Sequence, residues 1–136
     1  ERSVVKYKNV QAKDKLKRWE KIAKEAAEQS HRLTIPNVSC HRNLENFCAT
    51  SENASLKLIF WEEEKEKKLR DCLKNDIGIS RLSILIGPEG GFSSKEIELT
   101  SKFGFIPVGL GPRILKTETA VMSILSIIQY VEGELG

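Results

Sequence analysis

A chain of 136 residues has room for one domain of ordinary size, and its composition, 40% hydrophobic with a net charge of +3, excludes intrinsic disorder. The longest apolar runs are far shorter than the ~20 residues that cross a bilayer, so we expect no membrane span. Three cysteines in no CxxC pairing and two isolated histidines favour neither a disulfide scaffold nor a metal site. We therefore expect a cytoplasmic protein without a bound metal.

Positive charge is concentrated at the start of the chain. Residues 1–32 hold ten Lys and Arg against five Asp and Glu, whereas the rest of the chain holds twelve against fourteen. A basic segment of this kind is typical of a surface that binds a polyanion. A charged segment is also commonly the solvated face of a helix, and the charge alone leaves both interpretations open.

Helical and strand patterns follow one another along the first half of the chain. Apolar residues at three- and four-residue spacing predict a helix over 12–31. A short helix over 42–48 is expected after an extended segment. The apolar run 56–61 is typical of a buried strand, and the highly charged stretch 62–75 predicts an exposed helix.

The second half continues the alternation. The apolar run 82–86 predicts a strand. Ser93 and Glu96 have the spacing of a capping box, which opens a helix over 94–103, and Gly104 stands where a glycine commonly ends a helix.

A third strand over 105–110 and a last helix over 117–131 complete the pattern. Apolar strands that alternate with helices predict an α/β fold with a mostly parallel sheet covered on both faces. The last helix is apolar almost all round, so we expect it to be buried on two sides. The sheet supplies one side, and either a partner subunit or the rest of this chain supplies the other.

The first of two glycine-rich loops, IGPEGGFS at 86–93, connects a strand to a helix. This is the edge of the sheet where open α/β folds bind their ligands. The loop is neither GxGxxG nor a P-loop, and the acidic Glu89 disfavours a phosphate. Glu89 suits a ligand with hydroxyls, an amine or a positive charge, although a plain tight turn remains the alternative.

The second loop, LGPRILKTETA at 110–120, also connects a strand to a helix. We expect both loops to meet at one edge of the sheet and to form a cleft with mixed polar side chains. Such a cleft is typical of a ligand site. Its expected polar residues are Glu89, Arg113, Lys116, Glu118 and Thr119.

Together with the hydrophobic helix after them, these two loops resemble the motifs of the RsmE family. Its members are bacterial 16S rRNA uridine N3-methyltransferases of the SPOUT superfamily. The segments ERSVVK at 1–6, RWEKIAKEAAEQSHR at 18–32 and IPNV at 35–38 are similar to the central region of that family.

The resemblance implies that residues 1–136 form one SPOUT methyltransferase domain, with a deep trefoil knot near its C-terminus. It implies a homodimer through the C-terminal helix. It also implies S-adenosyl-L-methionine as cofactor, S-adenosyl-L-homocysteine as product, and cofactor contacts from the two loops. The implied contacts are Ile86, Gly87, Pro88, Glu89, Gly90, Gly91, Leu110, Gly111, Pro112, Ile114, Leu115, Thr119 and Ala120.

The resemblance further implies a catalytic centre at Arg113, Lys116 and Glu118. A guanidinium such as that of Arg113 stabilises the negative charge that develops on uracil O2 and O4 when N3 loses its proton. The expected partner is the 16S rRNA of the small ribosomal subunit, with Gln29 and Arg32 facing it.

Two parts of the family pattern have no counterpart ahead of ERSVVK: a PUA-like RNA-binding domain, and a first strand and helix of the SPOUT domain. We therefore expect this chain to be a piece of a longer enzyme. Two alternatives stay open. One is a different SPOUT enzyme, such as a ribose 2′-O-methyltransferase, and the other is a non-enzymatic RNA-binding or ribosome-associated domain.

Overall fold

The computed structural model describes residues 9–73 and 80–133, and only the backbone of residues 9–12. The chain divides into two compact units, Val4–Arg42 and a larger one made mainly of Asn43–Gly136. The segment ERSVVK at 1–6, which carries part of the family resemblance, lies outside the described residues.

The smaller unit contains one long helix. This helix, α1, runs over Asn9–Gln29, close to the predicted 12–31. It ends earlier than predicted because His31 takes a left-handed conformation with φ of 56°. The N–H of Arg32 then folds back and donates to the carbonyl of Ala27 at 2.9 Å.

Three parallel strands form the sheet of the larger unit. The described elements after α1 are α2 (Leu44–Thr50), β1 (Leu56–Phe60), α3 (Leu69–Leu73), β2 (Leu82–Ile86), α4 (Ser94–Lys102), β3 (Ile106–Val108) and α5 (Thr117–Val131). The strand order is β2-β1-β3, so β1 lies in the centre. Phe60 at its end pairs with Ile86 on one side and with Val108 on the other. The predicted α/β fold and parallel sheet are confirmed.

The central strand is buried on both faces because its side chains alternate between two apolar clusters. One cluster joins the strands to α3 and α5, with Leu58 and Ile124 at its centre. The other joins Ile59 to α2 and α4 through Cys48 and Ile97. Burial raises the pKa of the Cys48 thiol, which therefore acts as a small apolar residue. The prediction that helices cover both faces is confirmed.

The helix predicted over 62–75 is wrong for residues 62–68, and within the described residues 62–73 only α3 is helical. Residues 74 and 75 of this prediction lie outside the described residues. A Glu64 carboxylate oxygen accepts hydrogen bonds from the N–H groups of Glu66 and Lys67 at 2.8 and 3.1 Å. Such local bonds compete with helical ones. Lys68 also forms a parallel bridge with Gly109, so the backbone is extended where the charge pattern predicts a helix.

Both ends of α4 follow the predicted signals. The Ser93 hydroxyl and the Glu96 carboxylate form the reciprocal hydrogen bonds of a capping box. Burial by itself raises the pKa of Glu96, but the hydrogen bonds from Ser93 outweigh it and the net direction is downward. At the other end, Gly104 has φ of 83°, and the N–H of Phe105 donates to the carbonyl of Thr100 at 3.1 Å, as in a Schellman motif.

The last helix, α5, spans the predicted residues but is covered on one side only. Ala120 and Ile124 are buried against the sheet. Its opposite face is exposed, with Met122 at 71%, Leu125 at 50% and Tyr130 at 69%. Within residues 9–73 and 80–133 this helix is therefore not buried on both sides by its own chain, and the partner-subunit alternative stays a prediction. Among the described residues, no helix is both long and apolar enough to cross a membrane.

Candidate active site

The three strands end together, and the segments that follow them enclose a cleft of about 430 Å³. We call residues 86–93 loop 1 and residues 110–116 loop 2. Because β1 is the central strand, residues 61 and 62 lie between the two loops at the carboxyl edge of the sheet. The expectation that both loops meet at one edge is confirmed.

Most of the residues that the sequence assigned to the site line this cleft. They are Ile86, Gly87, Pro88, Glu89, Gly91, Leu110, Gly111, Pro112, Arg113, Ile114, Leu115, Lys116, Glu118 and Ala120. Gly90 and Thr119 do not line it. Gln29 and Arg32 belong to the smaller unit, where both are exposed.

Four cleft residues are absent from the sequence-based set: Phe60, Trp61, Glu62 and Thr117. The first three come from the end of β1, which becomes part of the site only because β1 lies between β2 and β3. The signal available in the sequence is an apolar run that ends at an aromatic residue followed by acidic ones. The helix predicted over 62–75 hides this signal, because it assigns Glu62 to an exposed helix and not to the end of a strand.

Loop 1 is shaped by its own backbone. The N–H of Gly91 donates to the carbonyl of Pro88 at 2.8 Å, and Gly91 has φ of 63°. A Cβ atom at Gly91 would lie 2.7 Å from one Glu62 carboxylate oxygen and 2.9 Å from the other. Only glycine gives this combination of left-handed backbone and close approach without strain. Phe92, buried beside Ile97, anchors the loop to the core.

One side-chain hydrogen bond links the beginning of α5 to loop 1. The Thr117 hydroxyl donates to the carbonyl of Gly87 at 3.1 Å. Thr117 is partly buried, whereas residues 111–116 before it are all exposed. This bond ties the end of loop 2 to the strand end that begins loop 1.

The cleft carries charges of both signs. Its carboxylates are Glu62, Glu89 and Glu118, and its cations are Arg113 and Lys116. None of these five side chains has a hydrogen-bond or ion-pair partner within residues 9–73 and 80–133. Free cations suit an anionic ligand group, and free carboxylates suit hydroxyl or ammonium groups.

One residue that lines the cleft also has a buried donor. The indole Nε1 of Trp61 is buried and has no hydrogen-bond partner among the described residues. A buried polar atom left without a partner is costly, and a ligand that accepts its hydrogen bond removes that cost.

Fold and cleft together define an α/β protein with a polar ligand site made of two glycine-rich loops at the carboxyl edge of a parallel sheet. Residues 1–129 match the RNA methyltransferase domain family. The chain therefore belongs to that family.

Similar proteins carry consistent names. The chain is 38% identical to a ribosomal RNA small subunit methyltransferase E of Buchnera aphidicola over 127 residues, which cover 93% of this chain and 49% of the relative. It is also 38% identical to the Bacillus subtilis protein of the same name, with 95% and 52% covered. The chain thus spans about half the length of these curated relatives.

Solved structures agree with the fold. A ribosomal RNA small subunit methyltransferase E of Neisseria gonorrhoeae, bound to S-adenosyl methionine, matches with a TM-score of 0.79 and 34% identity, over 96% of this chain and 52% of that one. A Legionella pneumophila protein in complex with the cofactor SAM matches with a TM-score of 0.85 and 38% identity, over 96% and 52%.

Proposed function

We propose that this chain is the catalytic part of an S-adenosyl-L-methionine-dependent rRNA methyltransferase. Its proposed target is N3 of a uridine in the 16S rRNA of the small ribosomal subunit, in the cytoplasm. The observation that carries the proposal is that both glycine-rich motifs line one cleft. The names of the relatives and the cofactor in two similar structures support it.

The residues present fit this cofactor. The cleft volume of about 430 Å³ is within the usual range for small-molecule sites. Loop 1 forms a backbone cradle, because a Cβ atom at Gly87 would lie 3.3 Å from the backbone of Gly91. The unpartnered Nε1 of Trp61 and the free cleft carboxylates offer a donor and acceptors to a nucleoside with an amino-acid tail.

When bound, S-adenosyl-L-methionine supplies a methyl group on a sulfonium and departs as neutral S-adenosyl-L-homocysteine. The task of the protein is to align uracil N3 with that methyl group and to ease the loss of the N3 proton. Arg113 is always charged and cannot take the proton. Its guanidinium instead stabilises the charge on O2 and O4, and Lys116 and Glu118 beside it complete the catalytic set.

The role of Arg113 is testable in single-turnover methyl transfer to small-subunit rRNA by the protein that contains this chain. Arg113→Ala is expected to lower the rate about 100-fold, the usual cost of losing a charge-stabilising donor. Arg70→Ala, an exposed arginine of α3 that pairs with Asp71, serves as control. A wild-type rate in Arg113→Ala contradicts the assignment. Digestion of the product to nucleosides separates N3-methyluridine from a 2′-O-methylated residue.

A homodimer through α5 belongs to the same proposal. The exposed apolar face with Met122, Leu125 and Tyr130 supports it, because monomers seldom leave such a patch in water. Sedimentation is expected to give twice the 15.4 kDa of one chain. Met122→Glu combined with Leu125→Glu is expected to give monomers, whereas Lys102→Glu on the exposed side of α4 is not. A monomeric wild type contradicts the dimer.

RNA contacts from the smaller unit are also proposed, at Gln29 and Arg32. The basic surplus of the N-terminal segment supports them, although Lys21 and Lys24 form ion pairs with Glu25 and Glu28 along α1. Such exposed pairs are weak and leave lysines available to phosphates. Arg32→Ala is expected to weaken RNA binding and to reduce its salt dependence, and unchanged binding contradicts the contact.

The deep trefoil knot, and a single SPOUT domain over residues 1–136, complete the proposal. The similarity of fold to the rRNA methyltransferase of Neisseria gonorrhoeae supports both. In such a knot the two cofactor loops lie side by side. The hydrogen bond between Thr117 and Gly87 agrees with this arrangement.

A further inference from the structure

The end of the central strand brings a free carboxylate to the middle of the cleft. Phe60, the last residue of β1, pairs with Ile86, so the two residues that follow β1 lie near the beginning of loop 1. Glu62 is the second of them, and it lines the cleft. Its side chain has no hydrogen-bond or ion-pair partner among the residues that the structure describes.

The Glu62 carboxylate faces the backbone of loop 1. Both of its oxygens lie within 3 Å of the point where a Cβ atom at Gly91 would stand. The carboxylate therefore occupies the space that the absent side chain leaves. The neighbouring Glu63 carries the same side chain and is exposed like Glu62, but it does not line the cleft.

This arrangement has a known chemical use. In dinucleotide-binding α/β folds, one strand carries the glycine-rich loop, and an acidic residue farther along the chain binds ribose hydroxyls. Here β2 is followed by loop 1, and Glu62 lies two residues after the end of the adjacent β1. A carboxylate has two acceptor oxygens, which match the two donors of a ribose 2′,3′-diol.

We propose that Glu62 is a specificity-determining residue whose carboxylate accepts hydrogen bonds from the ribose hydroxyls of the bound nucleoside cofactor. This inference rests on the proposed function, because it assigns one contact within the same cleft. Glu89, which also lines the cleft, lies within loop 1 itself rather than at the end of the neighbouring strand. Glu62 is therefore the carboxylate that is positioned to accept hydrogen bonds from the ribose hydroxyls of a nucleoside bound beside loop 1.

The test pairs a protein change with a ligand change. Calorimetry compares S-adenosyl-L-homocysteine with its 2′-deoxy analogue, on the wild-type chain, Glu62→Ala, Glu62→Gln and the control Glu63→Ala. The wild type is expected to bind the ribose form about tenfold more tightly than the deoxy form, as one hydrogen bond to a charged group implies. Glu62→Ala is expected to bind both forms equally, and Glu62→Gln, which keeps one acceptor oxygen, to be intermediate.

The outcomes separate this inference from the proposed function. If the wild type binds and Glu62→Ala keeps the full preference for the ribose form, Glu62 does not contact the diol and the inference is overturned. Equal weakening of both ligands in Glu62→Ala overturns it as well, and indicates a contact with the amino-acid part. Failure of a folded wild type to bind either ligand counts against the cofactor site itself.

Discussion

The two loops that form the cleft are supported in different ways. Loop 1 is held by its own hydrogen bond between Gly91 and Pro88, by the buried Phe92, and by the capping box that follows it. Loop 2 has residues 111–116 exposed, and Lys116, the N-cap residue of the helix after it, makes no side-chain cap hydrogen bond. Its link to loop 1 is the hydrogen bond of Thr117.

This difference divides the work of the site. Loop 1 is preorganised, because its shape is fixed before a ligand binds. This suits the recognition of a nucleoside that is the same in every reaction cycle. Loop 2 carries Arg113 and Lys116. Its exposed residues are held less firmly by the rest of the fold than those of loop 1. We therefore expect substitutions in loop 1 and its anchors to change affinity and stability, and substitutions in loop 2 to change the rate.

The largest expected loss of stability comes from a substitution at Gly109, the residue just before loop 2. A Cβ atom at Gly109 would collide with the backbone carbonyl oxygen of Glu64, which cannot move aside as a side chain does. Gly109→Ala is expected to lower the free energy of unfolding by about 3 kcal/mol, as overpacking does. Denaturant unfolding measures it.

Gly104→Ala is the matched control for this clash. Gly104, unlike Gly109, has positive φ, and the nearest atom to its Cβ position, Lys57 Cδ, is 4.0 Å away. The expected loss is therefore only the backbone strain, about 1 kcal/mol. Equal losses in the two variants would show that Gly109 is not held against the turn at Glu64.

The cap of α4 is next in size. Ser93→Ala removes the hydroxyl of the capping box and is expected to cost about 1 kcal/mol of unfolding free energy. Lys116→Ala, at the same position before α5, removes no cap hydrogen bond and should leave stability unchanged. A large loss in Lys116→Ala would contradict the contrast between the two loops.

Breaking the link between the loops comes third. Thr117→Val keeps the shape but removes the hydroxyl that donates to Gly87, and is expected to cost about 0.5 kcal/mol of stability. It should also weaken binding of S-adenosyl-L-methionine, and Thr117→Ser should restore it. Thr50→Val removes a similar bond, to Phe47 in α2, and should leave binding unchanged.

The smallest expected effect is the contribution of Glu64 to the stability of the fold, which depends on pH. Hydrogen bonds from the N–H groups of Lys67 and Glu66 lower its pKa from the ordinary value of 4.5. Because the folded pKa is the lower one, this stabilisation is present above pH 4.5 and is lost as the pH falls through the folded pKa. The stability difference between wild type and Glu64→Gln should therefore shrink in acid. Glu63→Gln serves as the control, because that carboxylate accepts no hydrogen bond among the described residues.

Sequence patterns predict the regular elements of the larger unit well where local signals and packing agree. The strands at 56–60 and 82–86, the capping box at Ser93 and the extent of α5 all match. The stretch 62–68 does not. Its conformation depends on the bridge from Lys68 to Gly109, a contact between residues far apart in sequence that no local pattern reveals.

The candidate site, like the fold, is predicted from the sequence only in part. Glycine-rich loops are visible as motifs, and both line the cleft. Trp61 and Glu62 belong to it because β1 is central, and strand order cannot be read from periodicity. Thr119, inside the second motif, is exposed and does not line the cleft, so its cofactor contact stays a prediction.

The most direct test of the central claim is titration calorimetry of the wild-type chain with S-adenosyl-L-methionine in the absence of RNA. We expect binding with a Kd of about 1 µM, or roughly −8 kcal/mol. Gly91→Val is expected to abolish it, because a side chain there displaces the Glu62 carboxylate and closes the cradle of loop 1. A folded chain that does not bind, or a Gly91→Val variant that binds as tightly as the wild type, would contradict a cofactor site between the two loops.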